Sequence, residues 1–73
     1  MNQFLNALLL QYEAEKATAL AELSVLMQSP VGIAEHTNIV SEMKTKVKQI
    51  AEADDCLTVV KSIIANKSQS TST

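Results

Sequence analysis

One short stretch limits what this chain can fold into. Ser29-Pro30-Val31-Gly32-Ile33-Ala34-Glu35-His36-Thr37-Asn38 holds the only proline, the only glycine and the only histidine of the 73 residues, and the segments on either side read as helix. Pro30 lacks an N–H and pushes Ser29 out of helical geometry, while Gly32 can take a positive φ at little cost, so a helix arriving at Ser29 stops. Thr37 or Asn38 can restart one, because a short polar side chain at the N-cap accepts from the N–H groups of the first turn. Glu42 lies near enough to favour the positive end of that helix dipole. The chain reads as a hairpin bent at this point.

From about Gln3 to Gln28, Leu5, Leu9, Tyr12, Ala19, Leu23 and Leu26 form a coiled-coil-like seam, with Lys16 in the gap between Tyr12 and Ala19. A second line runs through Leu10, Ala14, Ala17 and Ala21, and Leu8, Leu20 and Met27 widen the apolar face. From Asn38 to about Asn66 the expected seam is Val40, Met43, Val47, Ile50, Leu57 and Ile64, interrupted by Asp54, with Ile39, Ala53, Val60 and Ile63 on a flanking line. Each rod is about 40 Å long at 1.5 Å per residue, and two rods joined by a short loop lie antiparallel. A loop centred on Ile33 sets Leu26 against Val40, Leu23 against Met43, Ala19 against Val47, Leu9 against Leu57 and Tyr12 against Asp54. The organisation expected is a helical hairpin over 1–66, with its loop at 29–37, then a polar tail over 67–73. That tail has nothing to bury and is expected to be disordered or laid on the surface.

Composition sharpens the class. The chain is 47% apolar with two aromatics, Phe4 and Tyr12, so its apolar surface is mostly aliphatic and suits helix-on-helix packing: an all-α fold. A chain this short rarely stabilises itself on one core, and a hairpin buries only one strip per helix. A homo-oligomer is expected, with a dimeric four-helix bundle as its smallest unit. Six lysines, eight acids and no arginine give a net charge of −2, which argues against a nucleic-acid polymer as partner. Of the one lysine cluster, Lys44 and Lys48 share a helical face and Lys46 does not; a solvated face is the simplest reading.

A single cysteine, Cys56, excludes an internal disulfide and has no metal-binding companions, so it reads as a small packing residue in a reducing cytoplasm. No apolar run reaches the ~18 residues of a membrane span, and the N-terminal stretch lacks the basic start of a signal peptide. No phosphate loop, paired catalytic carboxylates or nucleophile triad is present, so neither an enzyme nor a bound cofactor is expected.

Two polar groups stand out. Tyr12, Lys16 and Asp54 interrupt an apolar seam, and they can simply satisfy one another, the tyrosine hydroxyl bonding Asp54 while the lysine reaches solvent. Alternatively Tyr12 stacks on a base and Lys16 meets a phosphate in a pocket completed by a second subunit. His36, Thr37 and Asn38 at a helix start can serve as loop bonds and a cap, or meet an anion.

Pro30-Val31-Gly32-Ile33-Ala34-Glu35-His36-Thr37-Asn38-Ile39-Val40, followed by Glu42-Met43 and by Ala51-Glu52-Ala53-Asp54-Asp55, resembles small helical proteins of tailed phages, and among these the chain is most similar to the anti-CBASS protein 2 type. The resemblance covers most of residues 5–60. It implies an oligomeric, non-enzymatic sponge in the host cytoplasm that holds a cyclic oligonucleotide immune signal at subunit interfaces, with Tyr12 as the stacking aromatic. The phosphate-binding lysine found later in that helix is not matched here, where Leu26 and Met27 stand and Lys16 is the nearest cation. The ligand residues expected are Tyr12, Lys16, His36, Thr37 and Asn38. The alternative is a structural or adaptor protein, a phage assembly factor or an inhibitor of a host protein, that binds another protein's helices through its apolar stripes.

Overall fold

A computed structural model describes the backbone over residues 3–28 and 36–72 and the side chains over 3–28 and 38–66. Two helices, α1 (Gln3–Gln28) and α2 (His36–Ser72), pack along each other in a rod of 61 × 15 × 14 Å. No strand occurs among the described residues. The chain is an all-α hairpin. The turn assigned to Pro30 and Gly32 lies outside the described residues, as do the side chains of His36 and Thr37.

On α1 the half-buried and buried positions are Leu5, Leu9, Tyr12, Lys16, Ala19, Leu23 and Leu26, the expected seam with its lysine included. On α2 the seam differs from the expected one. It runs through Ile39, Met43, Lys46, Ile50, Ala53, Leu57, Val60 and Ile64, which is also an unbroken alternation of steps of four and three. Val40 and Val47, expected in the seam, are 66% and 54% exposed. Ile39, Ala53 and Val60, expected to flank it, face α1, and Lys46 lies among them with 22% of its side chain exposed. A lysine fits such a seam because its methylene stem packs against apolar neighbours while its ammonium leaves the interface.

The core is small. Ala19 at 2% exposed and Ala53 at 3% are its most buried residues, joined by Leu57 and Val60. Both line the same groove, and side chains this small let neighbouring backbones approach closely. Antiparallel order and register follow from two ion pairs, Lys16 Nζ to Asp54 Oδ1 at 2.6 Å and Lys46 Nζ to Glu22 Oε1 at 2.7 Å. The expected register set Ile50 against Lys16 and Lys44 against Glu22, so α2 is displaced towards the loop, the direction of its own N-terminus. The displacement brings each seam lysine to a carboxylate of the other helix.

The ends of α2 also depart from expectation. The helix begins at His36, so Thr37 and Asn38 sit inside its first turn instead of capping it, and no acidic residue falls in that turn. Glu42 therefore lies beyond the reach within which a charge favours the helix dipole. At the other end the helix runs to Ser72, through most of the stretch expected to be a polar tail, disordered or laid on the surface. Hydroxyls on the outer face of α2 are satisfied locally: Thr45 Oγ1 donates to the Ser41 carbonyl at 3.2 Å and Thr58 Oγ1 to the Asp54 carbonyl at 3.0 Å.

Candidate functional site

A two-helix hairpin has two flanks beside its seam, and an advance of about 100° per residue assigns residues to them. One flank carries Leu8, Tyr12, Glu15 and Glu22 from α1 with Gln49, Glu52, Cys56, Val59 and Ile63 from α2. Midway along it a groove of about 630 Å³ is lined by Tyr12, Glu15, Glu22, Lys46, Gln49 and Glu52, among others. Towards the free ends of the helices a second groove of about 290 Å³ runs between Leu8, Tyr12, Cys56, Val59 and Ile63, with Asp55 its one charged lining residue. This flank is thus divided: acidic towards the loop, apolar towards the free ends.

The opposite flank carries the Lys16–Asp54 pair and, towards the loop, Leu20, Met27, Val40 and Val47, all of them large apolar side chains left exposed. Leu20 and Met27 are seven residues apart, as are Val40 and Val47, so each pair is stacked two turns apart along its own helix.

Tyr12 and Cys56 line both grooves. Its phenol titrates above its ordinary 10.0, first because it hydrogen-bonds with the Cys56 thiol and because an ionised Cys56 repels a phenolate, and then through partial burial and the charge of Glu15. The expected hydroxyl bond to Asp54 is replaced: Lys16 holds Asp54, and Tyr12 lies against Cys56.

The five expected ligand residues are not gathered at one place. Tyr12 and Lys16 both lie in the seam of α1, but Tyr12 opens onto one flank and Lys16 pairs on the other. Asn38 is exposed at the loop end of α2, about five turns from Cys56, and the side chains of His36 and Thr37 lie outside the described residues. The residues that do join Tyr12 are Lys46, Cys56 and the three glutamates, of which Lys46 was read as an outward lysine. Its signal was present in the sequence, since a step of three after Met43 and a step of four before Ile50 both land on it.

Among the described residues no cluster of three metal-ligating side chains occurs, and no helix is long and apolar enough to cross a membrane. Comparison with protein-family models, curated proteins and solved structures finds no match.

Proposed function

We propose that this chain is a non-enzymatic interaction module, a helical hairpin that assembles with its own copies and binds an apolar helix face of another protein. The observation that carries the reading is the exposed set Leu20, Met27, Val40 and Val47, collected on one flank by two helices instead of scattered over the rod. Contiguous exposed apolar surface of this kind marks an interface, and a shallow strip between two parallel rows of side chains suits the i, i+3, i+7 anchors of an amphipathic helix. Met27 adds an unbranched side chain that adapts to the partner's shape. The lone thiol of Cys56 suits a reducing cytoplasm.

The test is photo-crosslinking from Met27 in cells that make the protein, with Val47→Glu as the comparison. A partner polypeptide crosslinked by the wild type and lost in Val47→Glu, at equal helix content by circular dichroism, supports the reading. Crosslinks unaffected by the substitution, or none beyond the protein itself, would remove it.

A second reading, sequestration of a cyclic oligonucleotide, is supported by the groove at Tyr12, whose volume falls in the ordinary range of ligand sites. In a single copy that groove presents Glu15, Glu22 and Glu52 against Lys46, which Glu22 already engages. Phosphates therefore need cations supplied by a neighbouring subunit. Native mass spectrometry with cyclic di- and trinucleotides decides it. A fixed mass gain that disappears in Tyr12→Ala, with the oligomer retained, supports this second reading, and an unchanged mass removes it.

A further inference from the structure

We infer, resting on the reading of the loop-ward strip as a partner site, that the helix it receives is acidic along the edge lying over α2, where Lys44 and Lys48 meet its carboxylates.

These two lysines are charges that the hairpin leaves unused. Lys16 and Lys46 are each held by a carboxylate of the opposite helix. Lys44, Lys48 and Lys61 are exposed and make no ion pair among the described residues, and the first two stand beside the strip. Lys44 and Lys48 are four positions apart, a spacing at which like charges work against a helix. No acidic residue stands three or four positions from Lys44, and Glu52, four from Lys48, does not pair with it. Nothing within the hairpin offsets the repulsion.

Helical geometry places both lysines on one border of the strip. At about 100° per residue, Lys44 lies roughly 40° round α2 from Val40 and roughly 60° from Val47, on the side away from α1, and Lys48 lies about 40° further. A lysine stem spans such an angle along the helix surface and carries its ammonium to the rim. The matching border on α1 is Ala17, Ala21, Ser24 and Gln28, all exposed and all uncharged. At the free-end limit of the strip Lys16 and Asp54 neutralise each other. Among the described residues the rim is therefore cationic on the α2 side alone.

A helix whose apolar face settles on Leu20, Met27, Val40 and Val47 brings one of its edges to those ammonium groups. Carboxylates on that edge gain charge-assisted bonds while staying in the wet rim, where charge governs selectivity and the speed of encounter more than strength. Anionic lipid carries the same charge, but a shallow strip between two rods matches a helix and not a plane.

Three synthetic helical peptides test the partner's chemistry. Each carries Leu at i, i+4 and i+7, and both edges of that face are Glu in the first, Gln in the second and Lys in the third. Binding is read by fluorescence anisotropy, and only binding lost in the uncharged variant Leu20→Asn/Val47→Asn, at equal helix content, is assigned to the strip. At low salt the Glu peptide is expected to bind about fivefold more tightly than the Lys peptide, against the direction favoured by the chain's net charge of −2. The preference should shrink in about 0.5 M salt and vanish in Lys44→Gln/Lys48→Gln. Equal binding of all three peptides at the strip overturns the acidic edge and leaves the strip reading standing, whereas binding of none removes both. A Glu preference that survives Lys44→Gln/Lys48→Gln, or lysine-dependent binding to phosphatidylserine vesicles without selectivity among the peptides, also overturns it.

Discussion

Lys46 shows how much one side chain decides here. It stands in the seam by its stem and out of it by its charge, and its pair with Glu22 is half in water, where such pairs contribute about 0–1 kcal/mol. Lys46→Met keeps the stem's volume and removes the need to hold the ammonium at the edge. The substitution is expected to stabilise the hairpin by about 0.5–1 kcal/mol, read as a rise of a few degrees in the thermal midpoint. A fall would show that the ion pair, and not the stem, matters at this position. Tyr12 gives a second handle, clean because it is the only tyrosine and the chain has no tryptophan. Since its phenol titrates above 10.0 in the folded chain, the fold favours the neutral form. Its contribution to stability is complete below pH 10 and is lost as pH rises through the folded-state value. Absorbance of the phenolate should therefore rise at higher pH in the native protein than in urea, and Cys56→Ala should bring the two curves closer. Coincident curves in the wild type would contradict the contact with Cys56.

At the scale of the helices, Ala19 and Ala53, the two most buried positions, make a sharper demand than the rest of the seam. Ala19→Leu forces the backbones apart and is expected to cost about 1–3 kcal/mol, measured by urea denaturation. The same change at the exposed Ala17 should cost little, and equal effects would mean that the helices do not close on Ala19. This element scale is also where the sequence was read unevenly. The seam of α1 was legible because Lys16 was admitted to it, whereas in α2 the β-branched Val40 and Val47 drew the seam one position aside and Lys46 was passed over. Hydrophobicity marks which residues prefer burial, but the spacing of small and amphipathic side chains decides which stripe two rods can share. The start of α2 was missed for a related reason. Thr37 and Asn38 are good caps by type, yet nothing in their chemistry prevents the helix from starting two residues earlier, at His36. The separation of Tyr12 from Lys16 could not be read from spacing on α1 alone, since it depends on where α2 places Asp54 and Cys56.

The whole molecule is a rod in which, among the described residues, four side chains are buried and seven of the ten exposed large apolar ones fall on two patches. If copies share the free-end patch, the thermal midpoint rises with protein concentration, because folding and association are then linked by mass action. A midpoint constant over a hundredfold dilution series would separate the fold from any assembly. The two patches lie on opposite flanks and at opposite ends, and this diagonal placement has a consequence for reach. Were two copies to join at their free ends, their loop-ward patches would stand at the two tips of one long body, too far apart to serve a single short helix. Such a body would be bivalent. It would hold a partner that repeats its helix at a matching interval far more tightly than one that presents it once, and its selectivity would come from spacing as much as from side-chain fit.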